Sequence, residues 1–183
     1  MEITFIRHFK TKGNLEKRYV GTTDENIIEN EIKPIYPQAD MIFSSPLLRC
    51  LQTARFIYGD TPICVEEDLT ETDFGEFEYK NYEELKENKD YLRWLESNGE
   101  IPFPKGESRA NFIKRSVEGF FKCIGKAQEC EKITFVIHGG GIMAILSQLT
   151  DNKNFYNFQC KNGCGFITKY ENGRFSVTGE INE

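Results

Sequence analysis

Two histidines are the residues of this sequence whose placement first suggests chemistry. His8 follows the β-rich apolar run 3–6 and Arg7, and His138 directly follows the apolar run 133–137. Each imidazole is therefore expected at the carboxyl end of a strand, where open α/β sheets bind their ligands. One histidine in such a place is most simply a core or surface residue with a local hydrogen bond. The chain has only two histidines, and finding both at such positions predicts one shared site.

The neighbours of both histidines suit a bound anion such as a phosphoryl group. Arg7 precedes His8, and three glycines, Gly139 to Gly141, follow His138 and lead into a helical pattern. A glycine-rich turn from strand to helix exposes backbone N–H groups at the positive end of the helix.

Two more charged residues fit the same interpretation. Arg49 lies in the first turn of another predicted helix, which begins at Pro46, and Glu71 follows the third predicted strand. Two guanidinium groups can hold phosphoryl oxygens bidentately and stay charged at any working pH. Singly, an arginine or a glutamate is usually a solvated surface residue, so the prediction depends on the whole set.

The elements that must hold these residues alternate between strand and helix. Predicted strands cover 3–6, 41–43, 63–65 and 133–137, with a late pair at 165–170 and 174–178. The late pair flanks Glu171-Asn172-Gly173, where Asn-Gly is a hairpin signal. One predicted helix has Ser45 as its N-cap and Pro46 in its first turn. Three others cover 82–95, 112–124 and 142–149. We therefore predict one α/β domain over 1–183, a three-layer α/β/α arrangement with a mainly parallel central sheet.

Composition and charge limit the classes of partner that the protein is expected to bind. The chain has 183 residues and a net charge of −6, without a basic block or an apolar run near the ~20 residues that cross a bilayer. We therefore expect no nucleic-acid or membrane partner, and a cytoplasmic location, since no signal-peptide pattern is visible. The six cysteines are expected to be reduced, and no complete zinc-ligand set accompanies Cys160 and Cys164. Oligomeric state cannot be inferred from these features.

Six motifs match a known family in its order. They are Arg7-His8-Phe9-Lys10-Thr11-Lys12-Gly13-Asn14, Gly21-Thr22-Thr23-Asp24, Ser44 to Ala54, Leu69 to Glu78, Pro104-Lys105-Gly106-Glu107-Ser108 and Ile137-His138-Gly139-Gly140. With them the chain resembles the histidine phosphatase superfamily, also called phosphoglycerate mutase-like. One motif alone would be weak evidence, but six in order over residues 3–149 are strong.

The resemblance implies a phosphoglycerate mutase-like fold with a small helical cap at 73–105, and a phosphatase. It implies that neutral His8 attacks phosphorus to give a phosphohistidine, and that Glu71 protonates the leaving alcohol and then activates water. The implied oxygen-binding groups are Arg7, Arg49 and His138, with Asn14, Thr23 and Gly139 as further substrate-binding residues. Since these arginines and the histidine supply positive charge, neither a metal nor another cofactor is expected.

Some positions depart from the family pattern. Phe9 stands where the family usually has glycine, Lys10 where it usually has an acidic residue, and Ile137 where Ser or Thr is commoner. If that glycine serves a close backbone approach or an unusual dihedral angle, Phe9 should alter the pocket. The stretch 24–40 is also short. It has room only for a helical stub at 29–34, so one covering helix is expected to be missing or replaced by a loop.

The predicted cap bears on the substrate. It carries nine acidic and five basic side chains, a net charge of −4, which disfavours a polyanion such as a bisphosphate. Its aromatic side chains could stack on a planar base, although packing of the cap is the simpler interpretation. Three functions stay open: a metal-independent phosphomonoesterase for a small organic phosphate, for example α-ribazole 5′-phosphate; a phosphoglycerate mutase; and a non-catalytic phosphate-binding module.

Overall fold

One sheet of six strands runs through the computed structural model, which describes residues 1–28, 34–171 and 174–182. The strands are β1 (Glu2–Arg7), β2 (Met41–Ser44), β3 (Ile63–Val65), β4 (Lys132–Ile137), β5 (Gly165–Glu171) and β6 (Arg174–Ile181). Their order in the sheet is β3-β2-β4-β1-β5-β6. Strands β1 to β4 pair in parallel, whereas β5 is antiparallel to β1 and β6 to β5. The prediction of a mainly parallel α/β sheet is confirmed.

Helices cover both faces of this sheet. They are α1 (Lys12–Leu15), α2 (Leu48–Tyr58), α3 (Tyr82–Leu85), α4 (Lys89–Glu96), α5 (Arg109–Lys126) and α6 (Gly139–Leu149). Since successive strand residues point to opposite faces, two cores form. One core joins α5 and α6 to the sheet through Phe5, Phe43, Phe135, Phe120 and Ile145. The other joins α2 to the opposite face through Ile6, Ile42, Val136, Cys50 and Ala54. The three-layer prediction is thereby confirmed.

Segment 73–105 has a small core of its own, which we call the cap cluster. It consists of Phe77, Leu85, Tyr91 and Phe103. The single helix predicted over 82–95 is wrong, because α3 ends at Leu85 and α4 begins at Lys89. Asn88 separates them: its side chain accepts hydrogen bonds from the N–H groups of Asp90 and Tyr91, which starts a new helix.

Two helix starts differ from the predicted ones. Helix α2 begins at Leu48 rather than at Pro46, because the backbone of Leu47 is extended, with φ −67° and ψ 137°. The Ser45 hydroxyl shares a 2.8 Å hydrogen bond with His138 Nε2 and accepts one from the Leu47 N–H. Helix α6 already includes Gly139, so the glycines predicted as a turn form its first turn. Their N–H groups are therefore among the donors that a helix leaves without intrahelical partners.

Two predicted features lie partly outside the residues that the structure describes. The stub at 29–34 lies, except for Pro34, outside the described residues, as do Asn172 and Gly173 of the predicted hairpin turn. The hairpin itself is confirmed, since Glu171 pairs with Arg174 in the β5–β6 ladder. The described residues within 24–40 contain no helix. Across the described chain, none of the helices has both the length and the apolar character needed to cross a bilayer.

Candidate active site

The two histidines meet at one edge of the sheet. Strands β1 and β4 are neighbours in register, with Arg7 opposite Ile137, so the residues that follow them emerge side by side. The ring centroids of His8 and His138 lie 5.2 Å apart, edge to face. Both side chains are buried. The convergence expected from strand ends is therefore present.

The hydrogen bonding of His8 determines which ring nitrogen is available. Its Nδ1 lies 2.7 Å from the carbonyl oxygen of Phe9, which can only accept, so Nδ1 carries the proton. Nε2 then has an open lone pair. Burial lowers the pKa of His8 well below its usual value of 6.5, and the charges of Arg49 and Arg7 lower it further. The ring is therefore neutral around pH 7 and suited to act as a nucleophile.

Phe9 does not alter the pocket in the way its side chain suggested. Its ring is fully buried and packs edge to face on Phe56 of α2, with centroids 5.2 Å apart. Its backbone is not in the left-handed region, and its N–H donates to the Thr53 hydroxyl at 2.9 Å. The large side chain therefore belongs to the layer behind the site, while the Phe9 carbonyl serves His8.

Two guanidinium groups flank the histidines, that of Arg49 fully buried and that of Arg7 partly buried. Arg49 donates from Nη1 to the Thr23 carbonyl at 2.8 Å and from Nη2 to the Gly21 carbonyl at 2.7 Å. Arg7 donates from Nη1 to the Cys160 carbonyl at 2.8 Å. In the described part of the chain, the buried Nε of each arginine has no hydrogen-bond partner. Unpaired buried donors are rare in proteins, and an anion between the arginines would satisfy both.

His138 completes what we call the phosphate floor, made of Arg7, His8, Arg49 and His138. Its Nε2 shares the hydrogen bond with Ser45 and also lies 3.5 Å from Cys50 Sγ. Burial lowers the pKa of His138 well below 6.5, with further lowering by the charge of Arg49. The floor therefore combines two neutral imidazoles with two cations.

Glu71 lies at the N-terminus of α6. Its Oε2 accepts a hydrogen bond from the Gly140 N–H at 3.2 Å, and its Oε1 accepts one from the Thr72 N–H at 2.9 Å. A carboxylate is favoured at this positive end of a helix. Glycine at position 140 leaves room for this carboxyl, because a Cβ there would overlap Glu71 Oε1. The Glu71 carboxyl thus lies at the second residue of α6, the helix that directly follows His138.

Comparison with known proteins identifies the family of this chain. A model of the histidine phosphatase superfamily, branch 1, matches residues 3–182. The chain belongs to that superfamily. The expectation of a phosphatase enzyme is confirmed at the level of the family.

Relatives and solved structures agree with the family. A Hydrogenobacter thermophilus protein, named as a candidate phosphoserine phosphatase, is 35% identical over 86% of this chain and 83% of its own. The adenosylcobalamin/α-ribazole phosphatase of Salmonella typhi is 24% identical over 90% of this chain and 88% of its own. A mutant phosphoserine phosphatase of Entamoeba histolytica in complex with phosphoserine has a TM-score of 0.80 at 27% identity, covering 98% of this chain and 96% of that one.

The three further residues that the family resemblance suggested occupy different places. Gly139 begins α6 against Arg7, whose Nε would lie 3.3 Å from an added Cβ. Asn14 accepts at Oδ1 from the Thr11 N–H and from Asn162 Nδ2, at 3.2 and 3.0 Å. Thr23 donates its hydroxyl to Glu78 at 2.7 Å, and its link to the floor runs through its carbonyl and Arg49. Their roles toward a substrate stay predictions.

Two residues that sequence reasoning assigned no role support this histidine phosphatase site. Glu78 Oε1 accepts from the Gly21 N–H, the Thr23 N–H and the Thr23 hydroxyl, and so holds the loop that contacts Arg49. Asn162 Nδ2 donates to the His8 carbonyl at 3.0 Å. Glu78 ends a recognised motif, which is a signal for it. No local pattern pointed to Asn162, since its partners lie about 150 residues away.

A cavity of about 420 Å³ adjoins the floor. It reaches Arg7, Glu71 and Gly139, whereas His8, only 4% exposed, lies next to it without lining it. Aromatic side chains form much of its wall: Tyr19, Phe74, Trp94, Phe103, Phe112, Phe155 and Tyr156. The expectation that the aromatic side chains of the cap mainly pack the cap is therefore incomplete, since Phe74, Trp94 and Phe103 of the cap also face the cavity.

The positive charges of Arg18 and Arg109 on the wall are already paired. Arg18 contacts Glu16 at 2.6 Å and Glu84 at 2.8 Å, and Arg109 contacts Glu100 at 2.8 Å. Among the described residues, no three His, Cys, Asp or Glu side chains are grouped to hold a metal ion. Metal independence stays a prediction, tested below.

Proposed function

We propose that the protein is a metal-independent phosphomonoesterase that hydrolyses a small organic phosphate through a phosphohistidine at Nε2 of His8. One observation carries the proposal: the unpartnered Nε donors of Arg7 and Arg49 are buried beside two neutral imidazoles. This set matches a tetrahedral dianion, which supplies acceptors for the arginines and a phosphorus atom for the nucleophile.

In the first step, the Nε2 lone pair of His8 attacks phosphorus and the P–O bond to the alcohol breaks. The guanidinium groups hold the equatorial oxygens, on which negative charge is stabilised in the transition state. Glu71 gives its proton to the leaving oxygen. The Phe9 carbonyl keeps its hydrogen bond from Nδ1, which stabilises the positive charge of the phosphorylated ring.

In the second step, water takes the place of the alcohol. Glu71, now a carboxylate, takes a proton from this water, whose oxygen attacks phosphorus and releases His8. The phosphate product leaves with the oxygen of water, and Glu71 is again protonated. His138 and the first turn of α6, which includes Gly139, add hydrogen bonds to the phosphoryl oxygens during both steps.

Two substrates have separate support. Phosphoserine is supported by the relative with the higher identity, at 35% against 24%. The α-ribazole 5′-phosphate hypothesis is supported by the aromatic wall, which suits a planar base. A phosphoglycerate mutase is less well supported, because Arg18 and Arg109 already pair with carboxylates and leave little charge for a second phosphate. The position of Glu71 disfavours a module that only binds phosphate.

The direct test compares the wild type with His8→Ala on p-nitrophenyl phosphate, with and without EDTA. We expect the wild type to turn over equally in EDTA and His8→Ala to lose activity by at least ~10⁴-fold. Activity lost in EDTA would contradict metal independence, and activity kept in His8→Ala would contradict the nucleophile. Phosphoserine, α-ribazole 5′-phosphate and 3-phosphoglycerate, compared by kcat/KM, would then identify the substrate.

A further inference from the structure

One helix holds the chain segment that carries Glu71. Three basic side chains of α5 face this segment. Lys126 contacts Glu66 at 3.3 Å, Lys122 contacts Asp68, and Arg115 reaches the residues next to Glu71. The helix also packs closely here, because a Cβ added to Gly119 would lie 2.7 Å from the Asp68 Cβ.

Arg115 makes the densest set of these contacts. Its Nη1 donates to the carbonyls of Asp68 and Thr70 and to the Thr70 hydroxyl, each at 2.9 Å. Its Nη2 lies 3.4 Å from the Glu71 carbonyl. One guanidinium group therefore fixes the backbone on the approach to Glu71 and the carbonyl of Glu71 itself.

Glu107 sets the orientation of Arg115. Its two carboxylate oxygens accept from Arg115 Nε at 3.1 Å and Nη2 at 2.8 Å. Both side chains are largely shielded, at 24% and 17% exposure, where a bidentate pair has more effect than at the surface. The Glu107 N–H in turn donates to the Asp73 carbonyl at 2.9 Å, two residues beyond Glu71. Arg115 and Glu107 thus hold the chain on both sides of Glu71.

We propose that Arg115 is a positioning residue that keeps the Glu71 carboxyl in place to protonate the leaving group. The inference rests on the proposed function, in which Glu71 is the general acid. Arg115 does not line the cavity, and its hydrogen bonds reach Glu71 through the backbone of 68–71. Loss of its guanidinium should loosen Glu71 from the Gly140 N–H, while the arginines and histidines of the floor keep their own partners.

This role predicts a dependence on the leaving group. A general acid matters most when the departing oxygen is strongly basic. Phenyl phosphate and p-nitrophenyl phosphate have nearly the same shape, but phenolate is the more basic leaving group. The value of kcat/KM covers the steps through P–O cleavage, so it reports this protonation even when hydrolysis of the phosphohistidine limits kcat.

The experiment measures kcat/KM on both esters for the wild type, Glu71→Gln, Arg115→Met and Arg115→Lys. Lys122→Met, a change on the same helix that contacts Asp68 but not 70–71, is the matched control. We expect Glu71→Gln to lose ~10-fold more on phenyl phosphate than on p-nitrophenyl phosphate. We expect Arg115→Met to shift the ratio of the two values in the same direction by ~5-fold, Arg115→Lys by less, and Lys122→Met not at all.

The ratio is taken on one preparation, so it does not depend on the fraction of folded enzyme, and Arg115→Lys remains informative if Arg115→Met folds poorly. If Glu71→Gln shifts the ratio but both Arg115 variants lower the two values equally, the positioning role is overturned and the proposed function stands. If Glu71→Gln leaves the ratio unchanged, Glu71 is not the acid, and the acid step of the proposed function fails together with the inference.

Discussion

The phosphate floor and the cap cluster are built on different principles. The side chains of the floor emerge from β1, β4 and α2, are buried except for the partly buried Arg7, and bond mainly to backbone carbonyls. The cap cluster is a separate small core, surrounded by exposed ion pairs such as Lys86–Glu83 and Arg93–Asp90, which contribute little stability. The floor is thus built on the central sheet, whereas the cap cluster packs apart from it.

The largest effect on activity is expected from a change in the floor that keeps its charge, and this tests the difference between floor and cap cluster most directly. In Arg49→Lys, one ammonium group cannot reach both the Gly21 and Thr23 carbonyls and also present a donor to phosphate. We expect kcat/KM on p-nitrophenyl phosphate to fall by ~10²–10³. Arg55→Lys, an exposed change on the same helix, is the control and should behave as the wild type. A fall in kcat/KM of less than about threefold in Arg49→Lys would contradict this role of the Arg49 guanidinium.

A smaller effect is expected where the cap segment 73–105 supports the floor through Glu78. Glu78→Gln keeps an acceptor for the Gly21 and Thr23 donors but removes the charge that strengthens those hydrogen bonds. We expect kcat/KM to fall ~10-fold, equally on phenyl and p-nitrophenyl phosphate, because the change acts on Arg49 and not on Glu71. Glu76→Gln, at a pair exposed on the surface with Lys105, should have no effect. Unequal losses on the two esters would place Glu78 on the leaving-group side instead.

Acid should destabilise the floor before the cap, because both histidines of the chain lie in the floor. The pKa values of both histidines are lowered in the folded protein. Below the ordinary histidine pKa near 6.5, the unfolded chain therefore binds more protons than the folded chain. We expect the free energy of unfolding by urea to be level above that pH and to drop below it, by up to ~1.4 kcal/mol per pH unit for each histidine.

The charged groups near these imidazoles are Arg7, Arg49 and, for His138, Arg115. They stay positive throughout this range, so the slope reports the rings. His8→Asn should flatten the slope by about half. An unchanged slope in that variant would assign the acid sensitivity to other groups.

The smallest effect is expected within the cap cluster. Tyr91→Phe removes the 2.8 Å hydrogen bond between the Tyr91 and Tyr19 hydroxyls. We expect a loss of ~1 kcal/mol in unfolding free energy and a kcat/KM on p-nitrophenyl phosphate within about twofold of the wild type. Tyr82→Phe, at an exposed tyrosine, is the control for both measurements. A tenfold loss of activity in Tyr91→Phe would show that cap and floor are not separable.

The floor was predictable because its signals are local. An apolar run followed by His8 or His138 specifies a strand end, and parallel strands bring their carboxyl ends to one edge. Side-chain direction was not predictable in the same way: Phe9 was expected to alter the pocket, but its ring packs against Phe56 of α2. Nor was the break at Asn88, where a strong N-cap interrupts a helical pattern that continues through it.

The supporting contacts were hidden because they join distant segments. Asn162, Glu78 and Arg115 each act on partners between 44 and 154 residues away. Charge and hydrogen bonding of this kind leave no periodic trace in a sequence, so only the folded chain reveals which motif residue serves which partner.

The order of synthesis affects this site, because the loop before β5 supplies partners for Arg7 and His8. The Arg7 side chain needs the Cys160 carbonyl, the Arg7 carbonyl accepts from the Gly163 N–H at 2.9 Å, and the His8 carbonyl accepts from Asn162. A ribosome makes His8 more than 150 residues before it supplies these partners. A nascent chain that stops short of this loop would carry every side chain of the floor and yet be unable to hold two of them in place, so we expect hydrolysis only after this loop has been made.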